Sequence, residues 1–123
     1  MDIAGKWKIV EAELGGRKLP ASEFEKIVLE LDETSYQLTE GKVIAAGILN
    51  LIPGSNPHSD PNAMIISVLF GPNEGTKFHC IYRFEGEDLL MCYNLGGDSL
   101  PGSFETFDNT LLYLVRYRRI GDA

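Results

Sequence analysis

The sequence predicts an all-β fold, an eight-stranded antiparallel barrel, from three observations. Strand-like runs rich in β-branched and aromatic residues recur eight times along 123 residues. Glycine-bearing turns separate most of them, and no stretch keeps a helical period long enough for a stable helix. An open sheet of that size would leave long edges and one large apolar face bare, so closure into a barrel is favoured. A β-sandwich is the structural alternative.

The first run, residues 5–14, is closed by Gly15-Gly16. Residues 20–26 have a helix-start composition but are too few for more than one or two turns, so at most one short helical segment is expected. Residues 27–31 form the second strand, Asp32-Glu33-Thr34 turns it into 35–39, and Glu40-Gly41 leads into 43–52. The loop 53–62 carries three prolines and is expected to be the least ordered part of the chain. Residues 63–70 are β-branched-rich and end at Gly71-Pro72. Strands six and seven lie between Phe78 and Asn94, a long loop covers 95–104, and 110–118 is the last strand. Length and the absence of repeats predict one domain over residues 1–123.

The hairpin within 78–94 gives the sharpest local pattern. Glu85-Gly86 between two alternating runs signals a tight turn. Setting Phe84 opposite Glu87 places Tyr82 opposite Leu89, Cys80 opposite Met91 and Phe78 opposite Tyr93, an apolar face for the core. The other face then pairs Arg83 with Asp88, Ile81 with Leu90 and His79 with Cys92. A slip of two residues keeps these faces; a slip of one puts Asp88 and Asn94 among the aromatics. By the same parity Cys80 and Cys92 point to opposite faces and cannot form a disulfide. They read as free thiols of a reducing compartment, with Cys92 on the outer and more reactive side.

A net charge of −7 argues against nucleic acid and anionic membrane surfaces. No apolar run approaches the roughly 18 residues of a membrane span. The chain opens on Met1-Asp2-Ile3 without a basic and apolar leader, so the expectation is cytoplasmic, although a chain trimmed of a leader would look the same.

Several stretches carry a family resemblance. Gly5-Lys6-Trp7 opens the first strand, and Arg116, Arg118 and Arg119 end the last. The motifs Gly71-Pro72-Asn73-Glu74-Gly75 with Ile81-Tyr82, the run 86–93, and Pro101-Gly102-Ser103-Phe104 follow in order. Together they resemble an uncharacterised lipocalin-like family, of the calycin superfamily, expanded in planctomycete-type bacteria. The resemblance implies a barrel whose closed end is built from Gly5 and Trp7, with Arg116 or Arg118 over the Trp ring. It implies no catalytic residue. Leu100 stands where that family carries Arg before the Pro, so any contact made by that Arg is not implied here.

Enzyme chemistry finds little support in the residues. His79 opposite Cys92 is the one thiol and imidazole pair, but it sits on the outer face with no orienting third group. No metal-ligand spacing, phosphate loop or convergent carboxylate pair occurs, so no cofactor and no enzyme is expected. Glu11 and Glu13 share a strand face and read as a wet strand end, and the loop residues His58, Asp60, Asp98 and Asp108 read as solvated.

Binding is the better expectation. Tyr36, Phe70, Phe78, Tyr82, Phe84, Met91 and Tyr93 are the candidate lining of a cavity for a small, mainly apolar ligand. A filled interior and a protein-interaction role form the alternative, and an enzyme with a barrel-mouth site that the sequence does not reveal is the third reading. An interior above roughly 300 Å³ would favour the ligand. Acidity disfavours anionic ligands unless Arg83 or Arg116 stands at the mouth. Residues 43–49 and 63–70 are apolar on both faces. Something must cover their outer side, either residues 20–26 or the second subunit of a homodimer.

Overall fold

The computed structural model describes residues 3–52 and 62–121. Nine strands follow one another: β1 Gly5–Leu14, β2 Arg17–Lys18, β3 Val28–Leu31, β4 Ser35–Glu40, β5 Lys42–Leu51, β6 Asn62–Phe70, β7 Lys77–Glu85, β8 Asp88–Asn94 and β9 Leu112–Gly121. The helical expectation reduces to a single 3-10 turn, Ala21–Glu23. Strands β3 to β9 each pair antiparallel with the next, and β1 pairs with β3 on one side and β9 on the other. Eight strands therefore close into a barrel, and the sandwich alternative falls. The two-residue β2 only extends the far end of β1, pairing Glu13 with Lys18 and Leu14 with Arg17.

The β7–β8 hairpin keeps its expected faces but not its expected partners. Glu85 pairs with Asp88 across Gly86-Glu87, so Phe84 faces Leu89, Tyr82 faces Met91, Cys80 faces Tyr93, Ile81 faces Cys92 and His79 faces Asn94. The slip relative to the sequence expectation is two residues. Both registers close on a two-residue loop; the observed one puts Gly86, at φ 65°, first in that loop, and the slip of two leaves every side chain on its face.

Two layers result. Inside the barrel, Trp7, Leu29, Leu31, Leu49, Met64, Ile66, Cys80, Leu89, Met91, Val115 and Tyr117 are buried together. Outside, Ala63, Ile81 and Cys92 form a second cluster under Ile52, Phe104 and Leu114. The loop after β8 thus covers the outer face of β7, β8 and β9, with Pro101 buried beneath it and the Arg83 guanidinium 4.5 Å above the Phe104 ring. Residues 20–26 do not cover β5 and β6; their one buried side chain, Phe24, joins the inner core. Ile48, Leu69 and Phe70 stay 42%, 59% and 52% exposed.

One end of the barrel is closed by Trp7, which is fully buried. Its Nε1 donates to the Ile3 carbonyl at 2.9 Å, its ring tilts against Phe84 at 6.4 Å, and the Arg119 guanidinium lies 4.3 Å from the ring centre. The Arg over the Trp is therefore Arg119, and not Arg116 or Arg118. Inward positions on β9 are Tyr113, Val115 and Tyr117, so Arg119 continues the inward series while Arg116 and Arg118 face out. Gly5 is part of the same arrangement. Its φ is +150°, and a Cβ there would collide with the Arg119 guanidinium.

Trp7→Ala is expected to lower the free energy of unfolding by roughly 3–5 kcal/mol in urea denaturation, the range for a buried aromatic cut to Ala. A loss below about 1 kcal/mol would be that of a surface side chain and would contradict a floor built on Trp7.

Candidate functional site: the barrel interior

Above the Trp7 floor the barrel is not filled. A cavity of about 210 Å³ extends toward the end that carries Ile27, Asn73 and Leu95. One wall is aliphatic, from Ile9, Leu29, Leu31, Leu38, Leu49 and Ile66, with Phe78 and Met91. The other polar features are Asn73 and the phenols of Tyr36, Tyr93, Tyr113 and Tyr117. Among the described residues no charged side chain lines it.

Strand alternation explains the tyrosines on β8 and β9. Tyr93 and Tyr113 are cross-strand partners, with rings 5.7 Å apart and inclined at 31°. Tyr117 stands two inward positions further along β9. Its hydroxyl and that of Tyr93 are 2.7 Å apart, and Tyr93 Oη also reaches Met91 Sδ at 3.4 Å. Burial raises the pKa of both phenols. Tyr113 is raised by burial and then by the Glu23 carboxylate, and Tyr36 by burial. All four are therefore neutral hydrogen-bonding groups at physiological pH. Tyr36 enters the cavity across Gly47, its cross-strand partner on β5. A Cβ on Gly47 would lie 2.7 Å from Tyr36 Cε1, so only glycine leaves the ring its place.

Of the seven aromatic and Met candidates, the structure brings Tyr36, Phe78, Met91 and Tyr93 to the cavity. Tyr82 and Phe84 face inward but pack into the core without lining the cavity. Phe70 lies outside. β5 and β6 pair Ala46 with Phe70 but Gly47 with Val68, so Leu69 is an extra residue that turns the strand end outward. Tyr113 and Tyr117 were not singled out from the sequence. Their signal was present in the period-2 series of 113, 115 and 117 on the last strand.

The outer face carries charge instead. Arg118 holds Asp88 through two bonds, Nε to Oδ1 at 3.0 Å and Nη2 to Oδ2 at 3.1 Å. Arg116 reaches Asp88 at 3.3 Å and also bonds Glu85, which Arg83 approaches at 3.3 Å. Arg83 and Arg116 thus border an outer groove of about 480 Å³ with Glu11, Glu13, Leu90 and Phe104, and neither stands at the barrel mouth. The expected pairing of Arg83 with Asp88 is replaced by these contacts because of the two-residue slip.

The thiol and imidazole pair does not form. His79 faces Asn94, and its Nδ1 is buried without a hydrogen-bond partner among the described residues. Cys92 is fully buried beneath Phe104 and Leu114, and burial raises its pKa to about 11. Cys80 is buried on the inner side, its pKa pushed up by burial, and both thiols are free. The greater reactivity expected for Cys92 is thus removed by the covering loop. His58 and Asp60 lie outside the described residues. Among the described residues no three His, Cys, Asp or Glu side chains gather as a metal site. None of their helices is long and apolar enough to cross a membrane.

No protein-family model, no curated protein and no solved structure matches the chain.

Both cysteines should resist an aromatic disulfide reagent in the native protein near about pH 8, because the thiolate is the reactive form. Both should be titrated after unfolding without reductant. Rapid reaction of Cys92 in the native state would show that the covering loop does not seal it. The second expectation concerns acid. Hydrogen bonds from Arg118, reinforced by Arg116, hold the Asp88 carboxyl below its ordinary value. A carboxylate with a depressed folded pKa stabilises the fold above its unfolded pKa of about 3.9, and that contribution is lost as pH falls through the folded value. Asp88→Asn should therefore lower the urea midpoint at neutral pH and flatten its decline on acidification. An unchanged acid limb would show that the pair contributes nothing.

Proposed function

We propose that the protein binds a small, mainly apolar molecule inside the barrel, in the manner of the lipocalin-like family that its sequence resembles. The observation that carries this reading is the cavity itself, apolar on most of its surface yet supplied with tyrosine hydroxyls. A filled interior would place methyl groups where this cavity lies. Its volume of about 210 Å³ falls below the roughly 300 Å³ expected to favour a ligand, the lower limit of drug-sized sites. Size alone therefore does not support binding; the hydroxyl-bearing lining does, and the ligand is compact rather than a long-chain lipid or retinoid. On this reading the protein is a carrier or sensor and not an enzyme.

A second reading, association of two copies through β5 and β6, is favoured by the exposure of Ile48, Leu69 and Phe70 on neighbouring strands.

A ligand that binds only the folded state raises its melting temperature with saturation. In a thermal-shift panel, at least one compact aromatic or alicyclic compound should raise melting, while long fatty acids and retinoids should not. Met91→Trp should abolish the shift by filling the space, and Leu38→Phe should weaken it with less disturbance of the core. If no compact compound shifts melting, the carrier reading is wrong.

A further inference from the structure

The cavity's size, charge and hydrogen-bonding state narrow the ligand further. Resting on the reading of the cavity as a binding site, we infer that it takes an uncharged molecule of about one substituted ring, which accepts a hydrogen bond from the hydroxyl of Tyr113.

Size comes first. An apolar protein cavity of about 150 Å³ accommodates benzene. A cavity of about 210 Å³ holds one ring and a few further heavy atoms. Charge comes second. Among the described residues no Arg, Lys or His lines the cavity, the arginines near it in sequence face outward to Asp88 and Glu85, and Arg119 is held on the Trp7 ring and the Ala4 carbonyl. A carboxylate entering the cavity would lose its water and gain no counter-ion. The carboxylate of Glu23, which acts on Tyr113, opposes an anion again at that side.

The third step is an inventory of hydroxyl protons. The hydroxyls of Tyr93 and Tyr117 are engaged with each other at 2.7 Å, and either can be the donor. Tyr93 Oη also lies 3.4 Å from Met91 Sδ, so this pair is already partnered inside the protein. Tyr113 lies against the Tyr93 ring, lines the cavity, and its hydroxyl has no hydrogen-bond partner among the described residues. A neutral carbonyl or ether oxygen is the complement of that donor, with the aliphatic wall of Leu38, Leu49 and Ile66 facing the rest of the ring. Tyr36 has a hydroxyl in the same state but enters from β4, on the opposite wall.

The test compares three probes of similar size by calorimetric titration: acetophenone, ethylbenzene and benzoate. Acetophenone should bind about three- to tenfold more tightly than ethylbenzene, the net effect of one hydrogen bond. Benzoate should bind about a hundredfold or more weakly than acetophenone. Tyr113→Phe should make acetophenone and ethylbenzene equal, and Tyr36→Phe should leave their ratio unchanged. Benzoate within about tenfold of acetophenone, by the same affinity scale, would overturn the inference, as would a preference that survives Tyr113→Phe or disappears in Tyr36→Phe. Binding of ethylbenzene with no advantage for acetophenone overturns the inference and leaves the carrier reading standing. Failure of all three probes overturns both.

Discussion

Everything above the barrel floor depends on how Trp7 is held. An indole buried at the end of a barrel must satisfy its N–H and fill a wide opening at once. Trp7 does the first with the Ile3 carbonyl and the second with help from Phe84 and Arg119. The guanidinium in turn donates to the Ala4 carbonyl at 2.6 Å, so a charge drawn away from water retains a hydrogen-bond partner. Gly5 completes the set by leaving the guanidinium room. Gly5 and Trp7 of β1, Ile3 and Ala4 just before it, Phe84 of β7 and Arg119 of β9 thus seal the floor and the strand junction together.

The interior above that floor is a balance between filling and emptiness. From the floor upward the inward pairs of β8 and β9 are Leu89 with Tyr117 and then Met91 with Val115, all four buried. Further along, the paired residues are Tyr93 and Tyr113. Phenols are too rigid to collapse into the remaining space, and the Tyr93 hydroxyl is held by that of Tyr117 instead of reaching toward the aliphatic wall. The wall on β3 to β6 that meets them is mostly aliphatic: apart from Tyr36, seated across Gly47, it offers Leu29, Leu31, Leu38, Leu49 and Ile66.

Much of this was legible in the sequence, and the misses share a cause. The faces of the β7–β8 hairpin were readable because a period of two survives a two-residue slip, whereas partners across the strands do not. Cys80 and Cys92 were separable by parity, but the burial of Cys92 depends on where Phe104 folds back, a tertiary event with no local signal. Phe70 was misassigned where a bulge interrupts alternation, at Leu69 on β6. An extra residue shifts every later side chain to the other face, and the sequence does not mark that bulge. The last strand also runs to Gly121, beyond the expected end at Arg118, which hid Arg119 as a strand residue. Cavity volume was not readable at all, since it is a small difference between the space the strands enclose and the side chains that enter it.

The ladder between β1 and β9 has a consequence for the order of events in the life of the chain. It is the most extensive seam of the barrel, running from Lys6 with Gly121 to Leu14 with Tyr113. It joins residues 99 to 115 positions apart, just as the bond from Arg119 to Ala4 joins the two ends of the barrel sequence. During synthesis β1 leaves the ribosome first and waits for β9 with one edge unpaired, and Trp7 waits with it. Pairings between neighbours along the chain form without that delay. The seam requires closure of the longest loop, which makes it the slow and exposed stage of folding. The bulge at Val10 breaks the regular edge that β1 offers in the interval, a feature that discourages pairing with a second unfinished chain.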